Sequence, residues 1–150
     1  MCLSDVTKGC RLAAIIPNAG CSRYPMNKTI LLIEDDDYFS SVIKIHLEKK
    51  GLEVHVAPDA EAGLSLLTKL SPALILLDVM LPGMDGFAAC LRIKSDRRLK
   101  QFPVIMLTGK SKFKHIDKAF EVGADDYITK SSVIHILLKT LDAKIEQYFI

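Results

Sequence analysis

The sequence predicts an α/β fold, a five-stranded parallel sheet with helices on both of its faces. Three observations support this prediction. From residue 29 onward, short apolar segments alternate with longer segments that carry apolar residues at helical spacing. Glycine and helix-capping residues stand where the pattern changes, and several of the short segments are unbroken apolar runs. Alternating strands and helices are typical of βαβ units, and unbroken apolar strands are typical of a sheet that is covered on both faces.

Five segments have the length and composition of strands. They are Thr29–Ile33, Leu52–Ala57, Leu74–Leu77, Val104–Leu107 and Tyr127–Thr129. The first, third and fourth are uninterrupted apolar runs, so we place them at the centre of the sheet. The second alternates between apolar and polar residues and the fifth is short, so both suit edges. The strand order 2-1-3-4-5 puts each strand in its expected place and can be built with right-handed crossovers. This order makes the predicted fold flavodoxin-like and doubly wound.

The segments between the strands carry apolar residues at i, i+3, i+4 and i+7, which places them on one face of a helix. The clearest cases are Phe39, Val42, Ile43 and Leu47 in the first helix and Ile134, Leu137, Leu138, Leu141 and Ile145 in the last. Gly51 and Gly123 stand where helices should end. Asp59 and Ser132 are predicted N-caps, and Asp36 or Asp37 can cap the first helix.

The composition fits one globular domain. The chain has 150 residues, 49% of them hydrophobic, and a formal net charge of +2. This balance gives no reason to expect nucleic acid as a direct partner, and no apolar stretch approaches the roughly 18 residues that a membrane span needs. The four cysteines show no C-x-x-C pairing, which favours a reducing compartment, so we expect a cytoplasmic protein without membrane contact. Cys90 lies on an apolar helical face and is expected to be buried and inert.

Residues 1–25 differ from the rest of the chain. Pro17, Asn18, Gly20 and Pro25 interrupt any periodicity, and the apolar run Leu12–Ile16 is too short for the core of a signal peptide. We therefore predict that residues 1–25 form a disordered extension or leader, and that residues 26–150 form the domain.

Polar side chains follow the predicted strands at the edge where ligands bind in such sheets, beyond the carboxyl ends. Glu34 and Asp35 follow the first strand, Asp78 the third, Thr108 the fourth and Lys130 the fifth. Neighbouring carboxylates repel one another, and a divalent cation such as Mg²⁺, or Mn²⁺ in its place, relieves this. The sequence therefore predicts a metal site at the mouth of the sheet.

Asp78 is the most informative of these residues, because a carboxylate that follows four apolar residues of a central strand is costly without a function. A helix dipole can explain Asp36 and Asp37, but not Asp78. A carboxylate nucleophile can form an acyl phosphate, and catalysis of phosphoryl transfer is mostly positioning and cationic stabilisation. Lys130 can supply a point charge and Thr108 a hydroxyl donor to the phosphoryl oxygens.

Four segments of the sequence resemble the response-regulator receiver family of two-component signalling, over residues 28 to about 147. They are Ile30–Asp36, Leu76–Gly86, Val104–Gly109 and Gly123–Lys130. The resemblance implies a signalling domain rather than an enzyme. It also implies a sensor histidine kinase or phosphotransfer protein as phosphodonor, Mg²⁺ as cofactor, and output to a protein partner or a homodimer through helix 4, strand 5 and helix 5.

The resemblance also assigns roles to individual residues. Asp78 would be the phosphoacceptor, with the Glu34 and Asp35 carboxylates and the Met80 main-chain carbonyl as further metal ligands. Thr108 and Lys130 would pair with the phosphoryl group, and Thr108 would also be a switch residue. The remaining assignments are Tyr127 as the switch aromatic and Met80, Gly109 and Lys110 as residues that influence phosphoryl lifetime.

One residue departs from the family pattern. Ser131 follows Lys130 where the family usually has proline after a cis bond, and a cis bond without proline costs about 2.5–4 kcal/mol. The Lys130–Ser131 bond can therefore be trans, or cis under strain. A receiver-like interaction module that works without phosphorylation, and a receiver that is a fragment of a longer regulator, remain alternatives. An aspartyl phosphatase is disfavoured, because Met80 stands where such enzymes often place an acid.

Overall fold

The computed structural model describes residues 27–109 and 113–149 of the chain. Its strands are β1 Thr29–Ile33, β2 Glu53–Ala57, β3 Leu74–Asp78, β4 Val104–Thr108 and β5 Asp126–Thr129. Its helices are α1 Asp37–Glu48, α2 Ala60–Leu67, α3 Gly86–Ser95, α4 Phe113–Glu121 and α5 Ile134–Phe149. All strand pairs are parallel and the order is β2-β1-β3-β4-β5, which confirms the predicted fold class and strand order.

The two faces of the sheet build two separate apolar cores. Successive side chains of a strand point to opposite faces, so Leu31 and Ile33 of β1 pack with α2, α3 and α4. Ile30 and Leu32 of the same strand pack with α1 and α5 on the other face. Because helices cover both faces, every residue of β3 and β4 is buried. The central strands are therefore enclosed on both faces, up to the residues at their ends.

Side-chain caps begin three of the helices. The carboxylates of Asp36, Asp59 and Asp85 accept hydrogen bonds from backbone N–H groups in the first turns of α1, α2 and α3. Gly51 and Gly123 follow α1 and α4 with φ values of 88° and 92°, the left-handed conformation that favours glycine. The predicted cap Asp59 and the two predicted helix-ending glycines are thus confirmed.

The beginning of α5 differs from the prediction. The hydroxyl of Ser131 accepts a hydrogen bond from the Val133 N–H at 3.1 Å, whereas the sequence predicted Ser132 as the cap. The Val133 N–H lies just before α5, which begins at Ile134, so this bond shapes the approach to the helix and neither serine stands directly before it. Within the described residues every peptide bond is trans, including the bond between Lys130 and Ser131.

Some predictions fall outside the described part of the chain. Residues 1–25 and Lys110 are among them, so their structure is not described. Among the helices of residues 27–109 and 113–149, none is long and apolar enough to cross a bilayer.

Candidate functional site

The carboxyl ends of four strands bring the predicted site residues to one edge of the sheet. Ile33 of β1 pairs with Leu77 of β3. The next residues along the chain, Glu34 and Asp78, therefore lie side by side at the ends of neighbouring strands. At the next strand pair Thr108 of β4 pairs with Thr129 of β5, and the Lys130 N–H donates to the Thr108 carbonyl at 2.6 Å. The parallel register alone therefore gathers residues that are far apart in the sequence.

Three carboxylates form an acidic cluster at this edge. Glu34, Asp35 and Asp78 each offer one oxygen, and these oxygens lie within 4.8 Å of one another. Glu34 is 2% exposed and Asp78 is 3% exposed, whereas Asp35 faces solvent. Buried carboxylates need charge partners, because desolvation otherwise opposes their ionisation. The cluster is therefore open to solvent on the Asp35 side and closed on the other.

Among the residues that the structure describes, Lys130 contacts this cluster with its ammonium. Its Nζ lies 2.6 Å from Glu34 Oε2 and 3.1 Å from Asp78 Oδ1. The same Nζ lies 4.3 Å from the centroid of the Phe39 ring. One ammonium thus bridges two buried carboxylates, and Asp35 adds a third acid beside them. The cluster carries more negative charge than Lys130 can balance when all three acids are ionised.

Burial and the neighbouring charges together shift the pKa of Glu34. Burial raises the pKa of the Glu34 carboxyl from 4.5 to about 7, although the hydrogen bond from Lys130 lowers it. The negative charge of Asp78 raises this pKa further, and the hydrogen bond from the Asp36 backbone N–H lowers it slightly. Glu34 therefore loses its proton at a higher pH than an ordinary glutamate, and additional positive charge in the site would favour its ionised form.

The donor set fits a divalent cation. Mg²⁺ and Mn²⁺ prefer carboxylate, carbonyl and water oxygens, and Glu34, Asp35 and Asp78 present three carboxylates at one place. Met80 lies two residues beyond β3, and its side chain is 68% exposed. Its carbonyl as a further ligand remains a prediction, as do the catalytic roles of the other site residues.

The loop between β3 and α3 depends on a glycine whose role the sequence reasoning missed. The Gly86 N–H donates to the Val79 carbonyl at 2.9 Å, and a Cβ at Gly86 would lie 2.0 Å from the backbone oxygen of Asp78. Only glycine therefore lets the first turn of α3 approach Asp78 so closely. The signal in the sequence is a glycine directly after the capping residue Asp85, where a helix would otherwise favour a side chain.

The other predicted residues lie around the cluster rather than in it. Thr108 is 3% exposed at the end of β4. A Cβ at the exposed Gly109 would meet no atom of the described residues within 4 Å. Tyr127 is partly buried on β5 and packs edge-to-face on Phe120 of α4, with ring centroids 5.8 Å apart. Phe39 beneath Lys130 was predicted only as a core residue of α1.

Comparison with known proteins agrees with this geometry. The chain is 43% identical over 117 residues to the transcriptional regulatory protein AfsQ1 of Streptomyces coelicolor, covering 78% of this chain and 49% of that protein. It is 40% identical over 114 residues to the DNA-binding dual master transcriptional regulator RpaA of Synechocystis sp., covering 76% of this chain and 47% of RpaA. The chain thus spans about half the length of the curated relatives it matches.

A solved structure shares the fold. The Mn²⁺-bound form of response regulator Rcp1 superimposes with a TM-score of 0.70 at 30% identity, covering 77% of this chain and 90% of that one. The family model for the response regulator receiver domain matches residues 30–142. These residues contain β2 to β5, all of β1 except Thr29, and the acidic cluster. The chain belongs to the response regulator receiver domain family of two-component systems.

Proposed function

We propose that this domain is a phosphorylation switch that accepts a phosphoryl group on Asp78 with Mg²⁺ bound beside it. The phosphodonor is a sensor histidine kinase or a phosphotransfer protein. The observation that carries the proposal is the position of the Asp78 carboxylate, which lies buried at the end of a central strand, 3.1 Å from the Lys130 ammonium and within the acidic cluster. Such a carboxylate has both a cationic neighbour and room for a metal.

The proposed reaction is a phosphoryl transfer from nitrogen to oxygen. A carboxylate oxygen of Asp78 forms a bond to phosphorus, and the phosphorus–nitrogen bond of the donor phosphohistidine breaks with its electron pair passing to the imidazole. Lys130 then pairs with a phosphoryl oxygen, and the Thr108 hydroxyl donates to another. Bound Mg²⁺, held by Glu34, Asp35, Asp78 and the Met80 carbonyl, would supply positive charge against the transferring oxygens.

The signal leaves through the face formed by α4, β5 and α5. Lys130 and Thr108 sit at the ends of β5 and β4, so a phosphoryl group that attracts both would pull on these strands. Tyr127 of β5 contacts Phe120 of α4, which couples the strand to the helix. A change of a few kcal/mol in the balance between two arrangements is enough to shift their populations decisively. Gly109, Lys110 and Met80 would influence how long the phosphoryl group persists.

The partners of this face belong to the same proposal. We propose a downstream protein or a second copy of the domain, and no direct contact with nucleic acid or membrane. The length of RpaA and AfsQ1 favours a specific alternative, in which this receiver works within a longer regulator. In either form we place the domain at residues 26–150 and in the cytoplasm, with residues 1–25 as an extension.

Labelling with a small phosphodonor tests the proposal. Acetyl phosphate with Mg²⁺ should add one phosphoryl group to the wild-type protein, stable in acid and labile in base, and none to Asp78→Asn. Asp85→Asn is the matched control, because Asp85 is an acid in the same loop whose capping role asparagine can retain. Wild-type protein that takes no label would favour the phosphorylation-independent module, and full labelling of Asp78→Asn would place the acceptor elsewhere.

A further inference from the structure

The Lys130 ammonium is held from three sides, and one of them is aromatic. Two sides are the carboxylates of Glu34 and Asp78, at 2.6 and 3.1 Å. The third is the face of the Phe39 ring, 4.3 Å from Nζ to the ring centroid. Only 21% of the Lys130 side chain is exposed. A cation at this distance from an aromatic face is attracted by the ring quadrupole, and more strongly where water is excluded.

The beginning of α1 fixes the ring in this position. The Phe39 N–H donates to the capping carboxylate of Asp36 at 3.0 Å, so the backbone at Phe39 is tied to the loop that carries Glu34 and Asp35. The ring also packs against the apolar core between the sheet and helices α1 and α5. The acids and the aromatic face are therefore carried by one continuous segment of the chain, whereas Lys130 follows β5.

We propose that Phe39 is a positioning residue for phosphoryl transfer, and that its ring face holds the Lys130 ammonium over the site while the partner of the ammonium changes. This inference rests on the proposed function. In the structure the shorter contact of Lys130 is with Glu34, yet the reaction requires the ammonium beside a phosphoryl group on Asp78. A hydrogen-bond acceptor in place of the ring would compete with the phosphoryl oxygens. The ring face has no preferred acceptor atom, so the ammonium can move between partners without leaving it.

A plain packing role for Phe39 makes a different prediction. If the ring only fills space beside α1, then Phe39→Leu should behave like Phe39→Tyr in all assays except stability. If the ring face holds Lys130, tyrosine should retain the function and leucine should lose it, because leucine is apolar but has no quadrupole. Tyr38→Leu is the matched control, since Tyr38 is the neighbouring aromatic residue and is 77% exposed.

Nuclear magnetic resonance of the unphosphorylated protein tests the contact directly. The ε-methylene protons of Lys130 should be shifted upfield by the ring current in the wild type, in Phe39→Tyr and in Tyr38→Leu. The shift should be lost in Phe39→Leu. Lys130 ε-methylene protons at ordinary lysine positions in the wild type would overturn the proposal. This readout needs no phosphorylation, so it is independent of the proposed function.

Labelling kinetics with acetyl phosphate and saturating Mg²⁺ test the consequence. Phe39→Leu should lower the maximal rate about five- to tenfold, while Phe39→Tyr and Tyr38→Leu should stay within about twofold of the wild type. The donor concentration at half-maximal rate should change little. Wild-type rates in Phe39→Leu, or equal losses in the leucine and tyrosine variants, would overturn this inference and leave the phosphoacceptor intact. Absence of label on the wild type would overturn the proposed function instead. Phe39→Met replaces the leucine variant if that variant fails to fold.

Discussion

Two lysines near opposite edges of the same sheet differ in how completely their charges are balanced by their neighbours. Lys94, at the amino edge, donates to the carbonyls of Lys100 and Phe102 and to the carboxylate of Asp125, at 3.3, 2.8 and 2.7 Å. An ammonium has three N–H donors, so each of them has an acceptor. Asp125 also accepts from the Val104 N–H at the start of β4. One acid and one base are balanced, and together they join α3, β4 and β5.

Lys130, at the carboxyl edge, sits in an unbalanced cluster. It contacts the buried carboxylates of Glu34 and Asp78, and Asp35 lies beside them. The difference teaches that burial of charge by itself does not identify a site. A satisfied network stabilises the fold, whereas a surplus of one sign at the end of central strands indicates that a ligand of opposite charge completes it.

The largest effect is expected from closing the space behind Asp78. Gly86→Ala places a Cβ 2.0 Å from the Asp78 backbone oxygen, so α3 or the loop must shift, at a cost of about 3 kcal/mol. Urea denaturation of metal-free protein measures this. Gly109→Ala is the control, because a Cβ there meets no atom of the described residues within 4 Å and stability should change by less than about 0.5 kcal/mol. Equal stability of the two variants would show that α3 does not depend on the close approach.

The next effect separates the two lysines by their response to metal. Lys94→Met should cost about 2 kcal/mol, because it leaves three acceptors without their donor. This loss should be the same with and without Mg²⁺. Lys130→Met should destabilise the metal-free protein by about 1–2 kcal/mol and lose most of that effect at saturating Mg²⁺. Denaturation curves with chelator and with Mg²⁺ provide the measurement. If Lys130→Met lowers the free energy of unfolding equally with and without Mg²⁺, the two lysines do not differ in the expected way.

A smaller effect should appear as pH dependence of stability. Burial raises the pKa of Glu34 from 4.5 to about 7, so the folded protein binds this proton more tightly than the unfolded chain. Stability from Glu34 is then fully present below about pH 4.5 and is lost as the pH rises to about 7. In metal-free buffer the free energy of unfolding of Glu34→Gln should fall less across this window than that of the wild type. The exposed Glu61→Gln is the control, and parallel curves for Glu34→Gln and wild type would contradict the assignment.

The smallest effect is expected at Cys90, beside the balanced lysine. Burial raises the pKa of the Cys90 thiol to about 11, with a lowering influence from Lys94 and a raising one from Asp125. The residue is fully buried, as the sequence predicted. Iodoacetamide should therefore leave Cys90 unmodified in the folded protein and modify it in urea, as followed by peptide mass mapping. Rapid modification without urea would indicate that α3 opens locally.

The sequence was sufficient for the strand order and for the residues of the edge. Apolar runs that end in Asp78 and Thr108 reveal buried strands with polar ends, and the parallel register then brings those ends together. The sequence was insufficient for contacts whose distances are set by how the helices pack on the sheet. The preference of Lys130 for Glu34, the ring of Phe39 beneath the ammonium and the close approach of Gly86 leave no periodic signal.

The central claim is that a divalent cation binds at the acidic cluster on the carboxyl edge of the sheet. Paramagnetic broadening by Mn²⁺ tests this claim most directly. At low Mn²⁺ concentrations the backbone amide signals of Asp36, Val79 and Gly109 should disappear first, and those of Val104 and Asp125 at the opposite edge should persist. Asp35→Asn should raise the Mn²⁺ concentration that this requires by about tenfold or more. Broadening that spreads over exposed acids across the surface, or that is unchanged in Asp35→Asn, would contradict the account.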